Sequence, residues 1–333
     1  MEKVVIALDA MGGDYAPEQT VKGAVEAVNS SDEIRVILVG KQDMIAKELE
    51  KYEYAKEDIE VVHASEIIDM GDVPTVAIKD KKDSSLVVAM RLVREGKADA
   101  LVSAGSTGAV LVGGQLVVGR LKGIKRPPLA PFIPTTKGFS LLIDCGANVD
   151  ARPEHLVQFA QMGSIYYENV MGKKNPTVAL LNIGTEEEKG NQLVKDTKPL
   201  MKECKNINYI GSVEARELVS GAADVIVCEA FVGNVVLKFF EGLALTLFGS
   251  LKKGLMSSTR TKLGALLVKP ALKGLKNQFD TSSQGGAPLL GLKGLVVKAH
   301  GNSGSKEIEI ALKQCISFKK QKINEKIKES ICD

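Results

Sequence analysis

The sequence predicts an α/β protein with a mostly parallel sheet, and three observations carry that prediction. Short runs rich in Val, Ile and Leu recur at 4–8, 34–39, 59–62, 100–103, 140–143, 178–183, 207–210, 225–227 and 295–298. They are apolar on both faces rather than strictly alternating, the pattern of strands covered on both sides. Most run into Gly or Asp, and helical spacing fills the gaps between them, as strand–helix alternation in a parallel sheet requires. Pro17 stands where a first helical residue belongs, ahead of the stripe Val21, Ala24, Val25 and Val28. Pro153 does the same for Leu156, Val157, Ala160 and Met162. Residues 100–119 carry no charge, but five Gly, two Ser, one Thr and one Gln make a buried strand, Gly-rich turn and helix a better reading than a membrane span. No Pro/Ser-rich linker and no repeat of 20–50 residues divides the chain, so 1–333 is expected to be one domain.

Composition narrows the function classes. With 44% hydrophobic and 26% charged residues among 333, the chain has enough apolar side chains for a core. A net charge of +3, no Trp and 5% aromatics argue against nucleic acid as a partner. Five scattered Cys without a CxxC speak against a disulfide framework and a zinc site, and for a reducing cytoplasm. The chain opens on an apolar run with neither a basic n-region nor a small-residue cleavage site, so no signal peptide is expected.

Ligands of such sheets bind beyond the carboxyl ends of the strands, so the loops there carry the candidate chemistry. Asp9, Gly12 and Gly13 follow the first strand. Gly permits close backbone approach to a ligand, Asp9 reads as an orienting carboxylate, and Asp14 could instead cap the next helix. Ser103, Gly105, Ser106, Thr107 and Gly108 place small hydroxyls and free N–H groups where an anion would bind, or form an ordinary strand–helix turn. Asp144 and Asn148 lie in a third turn, followed by Pro153, Glu154 and His155. His155 could act as acid or base or sit in a capping region, and Cys145 reads as buried and inert rather than nucleophilic. The fourth loop, Asn182, Gly184, Thr185, three Glu, Lys189, Gly190 and Asn191, offers one cation whose charge the carboxylates favour and which could hold phosphate or an oxyanion, or it is a solvated acidic loop ahead of a surface helix. Asn234 in a fifth turn could donate to phosphate or a carbonyl, and His300 lies in a sixth that a capped helix would also explain. Together these turns describe a donor-rich site with no metal cluster.

Between Glu241 and Asp280 there is no acidic residue. Within 248–280, Leu263, Leu266 and Leu267 precede a helical face of Val268, Leu272, Leu275 and Phe279, with Lys269, Lys273 and Lys276 beside it. Pro270 is expected to separate two helices. Such a basic amphipathic pair suits an anionic membrane surface or an acidic partner, or packs on its own core or on a second subunit.

DAMGGD, SAGSTGA, DCGANVD with PEHL, NIGTEEEKGN, FVGN and KAHG occur in this order over nearly the whole chain. The ordered set resembles the bacterial acyl-(acyl-carrier-protein):phosphate acyltransferases of phospholipid synthesis. It departs from them at Ser106, where Asn is common, and at Val232, where Thr is. The resemblance implies a three-layer α/β/α fold like those of isocitrate dehydrogenase and phosphotransacetylase, with the basic helical pair protruding. It implies a homodimer on the cytoplasmic membrane that moves a fatty acyl group from acyl carrier protein to inorganic phosphate, without cofactor or metal. The acyl phosphate would feed a glycerol-3-phosphate acyltransferase. On that reading Lys189, His155 and Asn191 would serve catalysis, with Ser103, Gly105, Thr107, Gly108, Asn148, Asn182, Thr185 and Asn234 as the donor set. A dehydrogenase on a similar fold and a non-catalytic membrane scaffold are the competing classes.

Overall fold

The computed structural model describes residues 3–279 and 285–331. The chain opens with β1 (Val4–Asp9), α1 (Glu18–Asn29), β2 (Ile34–Gly40), α2 (Gln42–Leu49), β3 (Ile59–His63), α3 (Pro74–Asp80), α4 (Ser85–Arg94), β4 (Ala100–Ser103) and α5 (Thr107–Gly113). It continues through β5 (Phe132–Thr135), β6 (Gly138–Ile143), α6 (Pro153–Met171), β7 (Thr177–Asn182), α7 (Gln192–Glu203), β8 (Asn208–Glu214) and β9 (Val225–Val227). The long helices α8 (Ala230–Leu255) and α9 (Thr259–Gln278) follow, then β10 (Ala287–Leu289), β11 (Leu295–Lys298), α10 (Ser305–Lys320) and α11 (Ile323–Ile331). All nine expected strands form, with boundaries shifted by a few residues at β6 and β8. The uncharged 100–119 stretch is β4, a turn, α5 and a wider π turn over Gly114–Val118, not a span.

Where one sheet was expected there are two, in two compact units. The first unit comprises Met1–Pro131, Gln161–Asn175 and Ser282–Asp333, the second Phe132–Ala160 and Pro176–Thr281. Each is assembled from separated segments, so no linker in the sequence marks the division. The first holds a six-stranded sheet in the order β10-β11-β4-β1-β2-β3. β1 pairs in parallel with β2, Val4 opposite Ile34, and with β4, Ile6 opposite Ala100. Ile6, Leu8, Leu38 and Leu101 are fully buried there, and α1 meets α10 closely enough that a Cβ on Gly23 would lie 2.6 Å from Ile308 Cβ. The second unit holds a five-stranded sheet, β5-β6-β9-β7-β8, whose core joins Ile133, Leu142, Ala179, Leu181, Val213 and Ile226 to Val232 and Val236.

Two strands lay outside the sequence reading, β5 and β10. Both are antiparallel edge strands and both contain proline, Pro134 opposite Phe139 and Pro288 opposite Val297. A proline has no N–H to donate to a second strand, so it fits at an edge; beyond β10 there is an isolated bridge, Leu129 opposite Leu289, in which Pro288 O accepts the Ala130 N–H at 3.0 Å. The helical pair also differs from expectation. Pro270 lies inside α9, and the break falls at Met256–Ser258, before α9. There the Ser258 N–H donates to Thr261 Oγ1 at 3.1 Å and the Thr261 N–H returns to Ser258 Oγ at 3.2 Å. This reciprocal cap starts α9, and the carbonyl that Pro270 cannot bond lies on exposed Leu266, where water can satisfy it.

Candidate functional site

In the first unit, three loops at the carboxyl ends of β1, β4 and β11 meet. Asp9 is 2% exposed. Its Oδ2 accepts from the Ser103 hydroxyl at 2.7 Å, and Ser103 Oγ accepts from the Gly105 N–H at 3.1 Å. Asp9 Oδ1 finds no partner at hydrogen-bond geometry among the described residues. Burial pushes the Asp9 carboxyl above its usual range, against the opposing pull of the Ser85 and Ser103 hydroxyls, the Met11 amide and the Lys298 charge. Gly12 leaves no room for a side chain, since a Cβ would stand 2.4 Å from Asp9 Oδ2 and 2.8 Å from Gly105 N. Gly13 takes φ +107° against Ala104, and the Asp14 N–H donates to Gly301 O at 2.7 Å. Asp14 does not cap α1, which starts after Pro17 without a side-chain cap. Ser106 caps α5, while Thr107 is exposed. Gly108 answers packing, because a Cβ would meet Pro74 at 2.6 Å. His300 is exposed on the turn before α10.

In the second unit, Asp144 organises its own turn. Oδ1 accepts from the Gly146 and Ala147 amides, and Oδ2 from the Asn148 amide and Nδ2. Its carboxylate is therefore held by the loop it was expected to serve. Cys145 is buried and burial pushes its thiol well up, which suits packing rather than attack. His155 is buried in the first turn of α6, where its Nδ1 accepts the Arg152 N–H at 3.1 Å and its own N–H donates to Arg152 O at 2.9 Å. An accepting Nδ1 puts the imidazole proton on Nε2. Asn191 caps α7, accepting the Val194 N–H at 2.9 Å. Asn234 lies exposed in the second turn of α8, whose start is capped by Glu229.

The loop between β7 and α7 is pinned by two side chains, Asn182 and Lys198. Asn182 Nδ2 donates to Gly184 O at 2.9 Å and Lys189 O at 3.1 Å. Lys198, 3% exposed, donates to Glu186 O at 2.9 Å, Glu187 O at 2.8 Å and Lys189 O at 3.1 Å. Lys189 itself is exposed, and its stem lies over Gly184, where a Cβ would be 3.0 Å from Lys189 Cγ. Thr185 is exposed beside it. Of the three carboxylates, Glu187 pairs with Lys202 at 2.8 Å, and that pairing holds the Glu187 carboxyl below its usual range. No ion pair engages Lys189 among the described residues.

A family model described as "Fatty acid synthesis protein" matches residues 4–326. A phosphate acyltransferase of Alkaliphilus oremlandii is 54% identical over 326 residues, 98% of this chain and 97% of its own length. Another of Clostridium acetobutylicum is 50% identical over 97% of this chain and 98% of its own. The chain belongs to the phosphate acyltransferase family. Its fold is similar to that of a phosphotransacetylase from Streptococcus pyogenes, with TM-score 0.65 and 17% identity over 94% of this chain and 93% of that one.

Two buried lysines lie at these loops without standing out in the sequence. Lys198 shapes the Lys189 loop. Lys298 ends β11, 8% exposed, and donates to the Ala104 and Ala299 carbonyls. The KAHG motif contains Lys298, but its burial beside Asp9 comes from the pairing of β11 with β4. Among the described residues no cluster of three or more His, Cys, Asp or Glu could hold a metal ion.

Proposed function

We propose that this chain transfers a fatty acyl group from acyl carrier protein to inorganic phosphate. A phosphate oxygen attacks the thioester carbonyl carbon, the carbonyl oxygen becomes an oxyanion, and the C–S bond then breaks. The products are acyl phosphate and the free thiol of the carrier protein, which takes up a proton. Phosphate is itself the nucleophile, so the protein has to bring two reactants together and stabilise charge. The observation that carries this reading is Lys189, an exposed cation without an ion-pair partner among the described residues, on a loop held by five hydrogen bonds from Asn182 and Lys198. In it Lys189 neutralises phosphate or the oxyanion. Asn148, Asn182, Thr185, Asn234 and the Ser103–Gly108 turn supply donors, and His155 Nε2–H is the reserve proton donor for the leaving thiolate.

The long helices support the membrane half of the reading. α8 is the one helix among the described residues long and apolar enough to cross a membrane. Its first turn packs on the Asp144 loop, however, where a Gly233 Cβ would meet Asp144 O at 1.9 Å, so its full length is not free to span. Phe239, Leu245 and Leu247 of α8 and Leu263, Leu266 and Leu267 of α9 are exposed. Lys269 and Lys273 are exposed too, Leu275 is 42% exposed and Leu272 half-buried. The side chain of Lys276 lies outside the described residues. Phe279 closes the pair, its ring 6.5 Å from that of Phe240. This surface would lie on anionic lipid at the inner face of the cytoplasmic membrane, with Leu inserted and Lys at the headgroups. Acyl carrier protein, being acidic, would meet the same charge. A homodimer delivering acyl phosphate to a glycerol-3-phosphate acyltransferase completes the proposal.

The test is phosphate-dependent release of carrier protein from palmitoyl-acyl carrier protein, by the wild type and by Lys189→Ala. A folded Lys189→Ala enzyme slowed about 100-fold or more supports the reaction and the residue. Full activity in the variant removes Lys189 from the centre. A wild type that binds anionic vesicles but turns nothing over is a scaffold.

A further inference from the structure

Buried lysines are rare because an ammonium loses its hydration unless every donor finds an acceptor. Lys198 of α7 is buried, and the acceptors its ammonium finds are three backbone carbonyls of a single four-residue stretch, Glu186, Glu187 and Lys189. Among the described residues no carboxylate accepts a hydrogen bond from it. The second inward anchor, Asn182 Nδ2, takes the Gly184 carbonyl and shares that of Lys189. In a trans peptide the carbonyl of one residue and the N–H of the next point in opposite directions. Drawing in the carbonyls of 184, 186, 187 and 189 therefore turns out the amides of Thr185, Glu187, Glu188 and Gly190, none of which donates a hydrogen bond to the described residues.

We infer that Lys198 is a positioning residue for the transfer reaction. From beneath the loop it fixes the backbone that presents Lys189, and the outward amides beside it, to the phosphate or the developing oxyanion. The inference rests on the role of Lys189 proposed above and adds to it why that exposed side chain arrives on a rigid base. Lys198 touches neither substrate, so its effect passes through the loop.

The experiment is a double-mutant cycle with palmitoyl-acyl carrier protein and inorganic phosphate as substrates. Lys198→Met keeps the stem and removes the charge; the freed carbonyls belong to exposed residues and can turn to water. Expected are a kcat lower by about tenfold or more, a KM for the acyl donor changed less than about twofold, and amide exchange at 184–190 faster by about tenfold or more. In a Lys189→Ala background the same change should cost several-fold less than in the wild type, the remainder being what the outward amides contribute. Should Lys198→Met not fold, Lys198→Arg is read instead, since a planar guanidinium cannot converge on three carbonyls as an ammonium does. Losses that multiply in the double variant, or a Lys198→Met enzyme at the wild-type rate beside an impaired Lys189→Ala enzyme, overturn the positioning role alone. A Lys189→Ala enzyme at the wild-type rate overturns the reading of Lys189 and the positioning role with it.

Discussion

Gly233 shows how little room some residues have. It lies in the first turn of α8 against the Asp144 loop, and a Cβ there would meet Asp144 O at 1.9 Å and Cys228 Sγ at 3.0 Å. Neither neighbour is a flexible chain end. Gly233→Ala should therefore destabilise the protein by about 2 kcal/mol or more, read as a lower urea midpoint. Glu309 makes a prediction of another kind. Its buried carboxylate accepts from Lys306, Lys313 and Ser30. Burial alone would raise its pKa, but these partners outweigh it and hold the group at about 2. A folded pKa below the unfolded one adds stability above the unfolded pKa of 4.5, and that stability is lost as pH falls toward about 2. Glu309→Gln should be less stable at pH 7 by roughly 2 kcal/mol, and the gap to wild type should close between pH 4.5 and about 2 in acid unfolding curves. Lys198 and Lys298 were illegible as special residues because nothing local separates them from the other cations among 44 Lys and Arg. Their burial arises from what packs over them.

Among elements, the strands were legible because burial on both faces leaves a dense Val/Ile/Leu run. β5 and β10 were not, since a three- or four-residue edge strand with a central proline resembles a loop until a partner supplies its register. The helical pair was legible in composition but not in its bounds. α8 begins at Ala230 because Glu229 accepts the Phe231 and Val232 amides, well before the basic stretch that drew notice. If α9 meets lipid, Leu266→Glu with Leu267→Glu should weaken binding to anionic vesicles about 100-fold, since two Leu side chains insert. Lys269→Glu with Lys273→Glu should weaken it too and reduce its dependence on salt. Sedimentation with phosphatidylglycerol vesicles checks both, and turnover of dissolved substrates should stay at the wild-type rate. Loss of turnover in the same variants would instead place this surface in carrier-protein docking.

At the scale of the molecule, two units each carry half of the candidate loops. Asp9, Ser103 and His300 belong to the first sheet, Asp144, Asn182 and Lys189 to the second. If phosphate binds the native chain, millimolar phosphate should raise the thermal midpoint by mass action. About ten times its Kd is worth roughly 1.4 kcal/mol, a few degrees for units of this size. Equimolar sulfate giving the same shift would mark a general anion effect, and no shift would deny phosphate a site in the free protein. By itself the sequence determined the strand–helix alternation, the order of the loops, the family and the acid-free stretch, because periodicity, turn chemistry and motif order are properties of neighbours along the chain. The tertiary structure alone decided that the strands form two sheets, that the Asp144 carboxylate accepts four hydrogen bonds from its own loop while Ser103 gives its hydroxyl to Asp9 of the β1 loop, and that Lys198 lies beneath Lys189. Those facts depend on which distant segments exclude water together, and a buried charge is tolerated only where such segments bring its acceptors to it.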